Sequence, residues 1–193
     1  MDVEQIAPHL WHWATPHPEW TPKNRGENGE GWDELVSSYA VVAEELVLID
    51  PHVPTDEADA AKFWEALDRD VEDHGPPQIL ITINFHVRSA PQIAERYEGA
   101  RTWEPGKVGD ALPEGVVAHD LSAFDEVAFE LPQHRALAFG DVVLDGPRLC
   151  PQDWLPDGRT REELAEAIRP LLEGKELLLL THGGPTAASH LEV

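Results

Sequence analysis

The chain has few basic residues, and this shortage excludes two kinds of partner. Its 193 residues include 14 Lys and Arg against 37 Asp and Glu, a formal net charge of −23. Such a charge opposes binding to the phosphates of nucleic acid and to an anionic membrane surface, so we expect neither as a partner. The acidity indicates an adaptation of the whole surface, for example to salt, and gives no information about activity.

Cysteine and long apolar runs are also scarce. Cys150 is the single cysteine, which excludes an internal disulfide and a cysteine-based zinc cluster and fits a reducing compartment. The sequence has no 18 uninterrupted apolar residues, and its amino terminus has no basic segment followed by an apolar one. We therefore predict a cytoplasmic protein with a single domain, residues 1–193, and a tail from about residue 186.

The remaining sequence alternates between strand and helix patterns. Short apolar or alternating runs predict strands, and an apolar stripe at spacings of three and four residues predicts helices. The predicted strands are residues 9–13, 37–43, 45–50, 78–83, 101–103, 116–119, 126–131, 135–139 and 176–181, and the predicted helices are 56–71, 91–97 and 160–173. The strand-helix-strand order in residues 45–83 predicts a right-handed crossover between neighbouring strands.

Polar side chains follow the strand 78–83 directly. Asn84, His86, Arg88 and Ser89 lie between this strand and the next predicted helix, and Ser89 with Gln92 has the form of a capping box. A histidine is thus placed on a strand-to-helix turn, where binding and catalytic residues often lie in sheet proteins.

This strand and loop resemble the His-x-His-x-Asp-His element of the metallo-β-lactamase fold. The second histidine of that element is present as His86, whereas Asn84, Arg88 and Ser89 stand where the family has a histidine, an aspartate and a histidine.

Three further elements follow the order of the same family. Asp50 ends an apolar strand, Asp141 ends a Leu-x-x-Gly-Asp segment, and His182 begins a His-Gly turn after the last apolar strand. The family's Pro-Gly-His turn has no counterpart, because residues 120–122 stand in its place without a histidine.

The resemblance implies an α/β (α+β) protein, a four-layer αββα sandwich of two mixed sheets flanked by helices. It further implies that His86, Asp141 and His182 meet in a cleft and hold one zinc or iron ion, with His86 and Asp141 as the catalytic residues. The groups expected around them, binding substrate or supporting the ligands, are Asn84, Arg88, Ser89, Asp50 and His52.

Two classes of function remain open at this stage. One is a hydrolase of an ester, thioester or amide that uses a metal-bound water. The other is a metal-free, non-catalytic protein that binds a small molecule or a partner, because Arg88 would repel a dication and could hold an anion. A substitute ligand, His52 or His119, would favour the hydrolase. A metal-free chemistry with Ser89 as nucleophile is disfavoured because no Gly-x-Ser-x-Gly elbow surrounds it.

The segment 8–32 is rich in histidine and tryptophan. These side chains could line a pocket, bind a metal, or form an edge strand and a loop whose tryptophans cover the sheet. His12 and His17 lack the spacing of a zinc-binding helix, so a local metal site is the least favoured of the three.

Overall fold

A computed structural model describes residues 2–26, 28–42, 44–106 and 111–193. The tight turn predicted between the strands 37–43 and 45–50 includes Ala43, which lies outside the described residues. Within them, no helix is long and apolar enough to cross a membrane.

The first sheet is formed by the amino-terminal half of the chain. Its strands lie in chain order, β1 (Val3–Ala7), β2 (Leu10–Pro16), β3 (Leu35–Val42), β4 (Leu46–Ile49), β5 (Gln78–Leu80) and β6 (Arg101–Trp103). The pairs from β1 to β4 are antiparallel, and β4, β5 and β6 run parallel. The carboxyl ends of β4 and β5 therefore lie at the same edge of the sheet.

Helices make the two parallel connections of this sheet. Helix α1 (Glu57–His74) joins β4 to β5, and helix α2 (Ala90–Arg96) joins β5 to β6. The Asp56 side chain caps α1 by accepting hydrogen bonds from the N–H groups of residues 58 and 59. Phe63 and Leu67 of α1 are buried against the sheet, which confirms the predicted apolar stripe.

The second sheet is formed by the carboxyl-terminal half. Its strands, in spatial order, are β13 (Gly184–Ala187), β12 (Leu177–Leu180), β9 (Ala136–Phe139), β8 (Glu126–Leu131) and β7 (Val117–Leu121). Strands β9 and β12 are parallel, and the other neighbours are antiparallel. Helix α3 (Arg161–Ile168) precedes β12 and begins at the predicted capping box of Thr160 and Glu163.

Shorter elements complete the chain. Strands β10 (Val143–Leu144) and β11 (Arg148–Leu149) form a two-stranded ribbon. Short 3-10 helices span Pro22–Arg25, Asn84–His86, Ser122–Phe124, Pro132–His134, Gln152–Trp154, Arg169–Leu172 and Ala188–His190.

The two sheets pack face to face, and helices cover their outer faces. Leu10, Tyr39 and Leu80 of the first sheet belong to one buried apolar cluster with Phe129 and Leu179 of the second. Helices α1 and α2 contribute to a cluster on the outside of the first sheet, and α3 to one on the outside of the second. The layers are helix, sheet, sheet, helix, as predicted, with burial of each large apolar side chain contributing about 1.5–3 kcal/mol.

The structure departs from the sequence analysis at three places. Strand β1 was not predicted, because its sequence VEQIA has neither a regular alternation nor a continuous run of apolar residues, and it is largely exposed at the sheet edge. The tail predicted from about residue 186 instead continues as β13, and Ala188 and Leu191 beyond it are buried. Ser89 does not cap α2, because its hydroxyl instead accepts a hydrogen bond from the Val53 N–H at 2.9 Å.

Candidate metal centre

The carboxyl ends of two pairs of parallel strands, one pair in each sheet, bring the candidate residues together. Asp50 follows β4 directly, and His86 ends the 3-10 helix after β5. Asp141 lies two residues after β9, and His182 two residues after β12. Because each pair of strands is parallel within its sheet and the sheets face each other, all four side chains lie in the seam between the sheets.

Asp50 is fully buried in this seam and accepts hydrogen bonds from both sheets. Its Oδ1 accepts from the Thr82 N–H at 2.9 Å. Its Oδ2 accepts from the Thr82 hydroxyl at 2.5 Å and the Thr181 hydroxyl at 2.7 Å. Thr82 follows β5 and Thr181 follows β12, so the carboxylate joins the sheets to each other.

The same carboxylate orients His86. The His86 Nδ1 lies 2.9 Å from Asp50 Oδ2, and the opposite ring atom, Nε2, lies 3.1 Å from Asp141 Oδ1. In protein metal sites, one nitrogen of a ligating histidine usually donates a hydrogen bond to a carboxylate, and the other nitrogen binds the metal. Burial alone would lower the pKa of His86, but the charges of Asp50 and Asp141 outweigh it and raise the pKa to about 9.

Three possible ligand atoms converge at one point of the seam. His86, Asp141 and His182 each offer an atom, and these atoms all lie within 4.8 Å of one another. His182 Nε2 is 3.1 Å from Asp141 Oδ1, matching the distance on the His86 side. Yet Asp141 Oδ1 accepts no hydrogen bond with acceptable geometry from the described residues.

These distances fit a metal ion. Zinc bonds of 2.0–2.1 Å in a tetrahedron place neighbouring ligand atoms about 3.3 Å apart, close to the two spacings seen here. Three ligands of one metal ion are expected to lie close to one another without being aligned as hydrogen bonds, and the atoms of His86, Asp141 and His182 do so. Two imidazoles and a carboxylate are also a donor set that zinc and iron accept.

Glu126 holds the turn that carries Asp141. Its buried carboxylate accepts from the backbone N–H groups of Gly140 at 2.7 Å, Asp141 at 2.8 Å and Val142 at 3.0 Å. Burial and the charge of Asp141 raise the pKa of Glu126 to about 8. At Gly140 a Cβ atom would lie 2.5 Å from the Thr82 hydroxyl, so a glycine is required where the two sheets approach.

The charges of the seam also shift the pKa values of the other two candidate ligands, Asp141 and His182. Burial would raise the pKa of Asp141, but the positive charge of His86 and the contact with His182 hold it far below its usual range. Burial lowers the pKa of His182, and the nearby charges of His86 and Arg88 add to that effect, while Asp141 opposes it.

Arg88 lies close to this group but makes no pair within it. Its backbone has a φ of +37°, which is unusual for a residue with a side chain. Its Nε and Nη1 atoms are buried and have no hydrogen-bond partner among the described residues. Burial lowers the pKa of Arg88, while the carboxylates of Asp50 and Asp141 act in the opposite direction.

The other predicted site residues have separate contacts. Asn84 is exposed, whereas His52 is buried with its Nδ1 2.6 Å from the Thr15 hydroxyl. His119 lies on β7, with its Nε2 2.7 Å from a Glu130 carboxylate oxygen. Neither His52 nor His119 belongs to the group of converging ligand atoms found among the described residues. Neither therefore supplies the substitute ligand that was considered, and this outcome counts against the hydrolase.

Two cavities adjoin the converging ligands. One of about 710 Å³ is lined by His12, Arg148 and His182 among others. A smaller one of about 290 Å³ is lined by Asp141 and by apolar side chains. Trp32 lines both, and its ring centroid lies 4.8 Å from that of His182. The structure thus supports a pocket-lining role for part of the tryptophan- and histidine-rich segment.

Several residues of the site were not found from the sequence. Thr82, Thr181 and Glu126 bind the loops of the seam, but a buried threonine or glutamate at a strand end has no pattern of its own. The one available signal was position, because Thr82 and Thr181 both follow apolar strands and precede candidate ligands.

Comparisons with known proteins were made by family model, by curated sequence and by solved structure. No family model and no curated protein matches the chain. Solved structures do resemble it. VMB-1 has a TM-score of 0.61 at 13% identity, over 97% of this chain and 91% of the other.

Two further structures give the same result. DIM-1 metallo-β-lactamase has a TM-score of 0.58 at 12% identity, over 98% of this chain and 93% of its own. A metallo-β-lactamase from Erythrobacter litoralis, with β-mercaptoethanol in its active site, has a TM-score of 0.59 at 12% identity, over 97% and 91%. At such identities the likeness bears on the fold alone.

Proposed function

We propose that this chain, which has the metallo-β-lactamase fold, is a hydrolase that works with one divalent metal ion held by His86, Asp141 and His182. The observation that supports this most directly is the convergence of the three ligand atoms within 4.8 Å. Asp141 Oδ1 lies 3.1 Å from both imidazole Nε2 atoms without a hydrogen bond to either.

The ligand set favours one ion over two. Asn84, Arg88 and Ser89 replace three metal ligands of the resembling element, and no histidine stands in residues 120–122. The guanidinium of Arg88 adds a fixed positive charge beside the seam, which opposes a second dication.

A bound divalent ion supplies Lewis-acid chemistry, polarising a carbonyl and increasing the acidity of water near neutral pH. The chain's own residues prepare that chemistry. Asp50 holds the His86 ring in one orientation through Nδ1, and Glu126 holds the turn of Asp141 through three backbone N–H groups. Trp32 packs against the ring of His182.

The two cavities leave room for a substrate on both sides of the converging ligands. The larger, of about 710 Å³, has His182 in its wall, and the smaller, of about 290 Å³, has Asp141. Phe124, Cys150 and Leu155 also line the smaller cavity, together with Asp125. We therefore propose an ester, thioester or amide whose cleaved bond lies between two parts, one in each cavity.

Metal content measured by elemental mass spectrometry tests this proposal. The chain is purified without a histidine tag, as the native protein and as His86→Ala, Asp141→Ala and His182→Ala. We expect about one zinc, iron or manganese ion per native chain and loss of it in all three variants. His119→Ala is the matched control, since His119 pairs with Glu130 away from the seam and its removal should leave the metal content unchanged.

A second function is favoured by the balance of charge in the seam. Two carboxylates, Asp50 and Asp141, face two cationic groups, His86 and Arg88, so the charges cancel without a metal. This balance supports a metal-free protein that binds a small molecule. No uptake of metal by the native chain after incubation with zinc would overturn the hydrolase and leave this alternative.

A further inference from the structure

Arg88 has hydrogen-bond donors that nothing in the described chain satisfies. Its Nε and Nη1 are buried without a partner. Buried polar groups of folded proteins nearly always have a partner, and a charged donor is the costliest kind to leave bare. The guanidinium therefore has donors that remain available to a ligand.

The surroundings of Arg88 are polar on each side. The carboxylates of Asp50 and Asp141 lie close enough to act on its charge. On the other side, the positive charge of Arg88 contributes to lowering the pKa of His17 and His52, after the larger effect of burial. The charge of Arg88 thus interacts both with the carboxylates near the converging ligands and with these two histidines.

The two histidines stack on each other. The centroids of the His17 and His52 rings lie 6.1 Å apart, and the ring of His17 also contacts Trp32 at 5.1 Å. His52 is buried, but His17 and Arg88 are only partly covered. Because Arg88 is not sealed from solvent, it is accessible to a small anion.

We propose that Arg88 binds an anionic group of the substrate, a carboxylate or a phosphate, beside the bond that is cleaved. Guanidinium groups bind both anions through charge-assisted hydrogen bonds. The placement beside a cleaved bond rests on the proposed hydrolase, but binding of the anion itself requires no metal.

This assignment narrows the class of substrate. The molecule would carry a negative charge on the same side as the ester, thioester or amide, because the charge of Asp141 acts on Arg88. The strongly acidic surface would repel such a molecule elsewhere, so the guanidinium would be a selective point of attachment.

Titration of the metal-free protein tests the proposal directly. The chain is dialysed against a chelator, labelled with ¹⁵N, and titrated with inorganic phosphate or with acetate at ionic strength held constant by KCl. We expect one arginine Nε–Hε resonance to shift saturably with phosphate, with acetate or with both. It is assigned to Arg88 by its absence in Arg88→Lys. In that variant the backbone amide resonances that shift with the anion should report an affinity lower by about tenfold or more.

An internal control separates specific binding from a general effect of anions. Arg101 is exposed and lies over the ring of Trp103 at 4.7 Å, so its resonance should not move. The two anions distinguish a carboxylate substrate from a phosphate substrate by their relative affinities.

The proposal is overturned if the Arg88 resonance is unmoved by both anions at about 100 mM, or moves no more than that of Arg101. Loss of metal binding with retained anion binding would refute the hydrolase and leave the anion site in place. Metal binding without any response of Arg88 to anions would do the reverse, so the two failures are distinguishable.

Discussion

At the scale of single residues, Asp50 is the main polar connection between the sheets. It is fully buried, and its carboxylate accepts from Thr82, Thr181 and His86. Asparagine has the same shape, but its NH₂ group would face donors where an oxygen now accepts. Two buried donors that face each other are left without acceptors, and this lowers the free energy of unfolding by more than a typical hydrogen bond contributes to it.

We therefore expect Asp50→Asn to lower the free energy of unfolding by about 2–4 kcal/mol, measured by urea denaturation of the metal-free protein. The exposed Asp157 provides a control, because Asp157→Asn should change the free energy of unfolding by no more than about 0.5 kcal/mol. Equal effects of the two substitutions would show that Asp50 does not stabilise the seam.

His52 is expected to make stability depend on pH. Burial and the charge of Arg88 lower its folded-state pKa to about 4, whereas the unfolded chain titrates near its ordinary value of 6.5. Between those values the unfolded state binds more protons, so stability falls as the pH drops from 6.5 towards 4, by at most about 3 kcal/mol. Above pH 6.5 the contribution is constant.

Urea denaturation of the native chain and of His52→Gln at several pH values measures this dependence. Glutamine retains a polar group near the Thr15 hydroxyl but does not titrate. The variant should lose less stability than the native chain over pH 6.5 to 4. Parallel pH profiles would contradict the assignment.

At the scale of elements, strand β8 begins with the group that positions the Asp141 turn. Glu126 faces inward and accepts three backbone hydrogen bonds, whereas Glu130 on the same strand faces Lys175 and His119 near the surface. Above pH 8, where the carboxyl group of Glu126 is ionised, glutamine at 126 would replace one acceptor oxygen by a donor and leave a backbone N–H of the turn without a partner.

We expect Glu126→Gln to lower the free energy of unfolding by about 2–3 kcal/mol and to weaken zinc binding, because Asp141 would lose its position. Glu130→Gln, the control from the same strand, should cost about 1 kcal/mol or less and leave zinc affinity unchanged. Thermal denaturation and calorimetric zinc titration measure both effects. An unaltered zinc affinity in Glu126→Gln would refute the positioning role.

At the scale of the whole molecule, the formal charge of −23 acts on the compact state through self-repulsion. Salt screens exposed charges over about 10 Å at 0.1 M and about 3 Å at 1 M. We expect the melting temperature to be higher in 1 M KCl than in 0.05 M KCl. Sucrose at matched osmolality controls for exclusion of solute from the surface. A melting temperature insensitive to KCl would contradict the proposed adaptation to salt.

The order of strands and helices, and the residues that end each strand, were determined by the sequence alone. Apolar runs and stripes predicted most strands of the two large sheets and the helices α1, α2 and α3, because burial of one face requires those periods, while the division into two sheets came from the family resemblance. Strands β1 and β13 were not predicted, because their apolar patterns are weak. Backbone pairing with a neighbouring strand places them, and this pairing does not require a distinctive side-chain pattern.

The tertiary structure decided how these residues meet. His86 and His182 are 96 positions apart in the sequence, yet both lie 3.1 Å from the same oxygen of Asp141, because two parallel strand pairs end in one seam. The partners of Asp50 and Glu126 come from loops distant in the chain. That Nε and Nη1 of Arg88 find no partner in the part of the chain that the structure describes depends on every neighbour at once. Distances and unpaired donors of this kind follow from the packing of both sheets, and local sequence does not encode them.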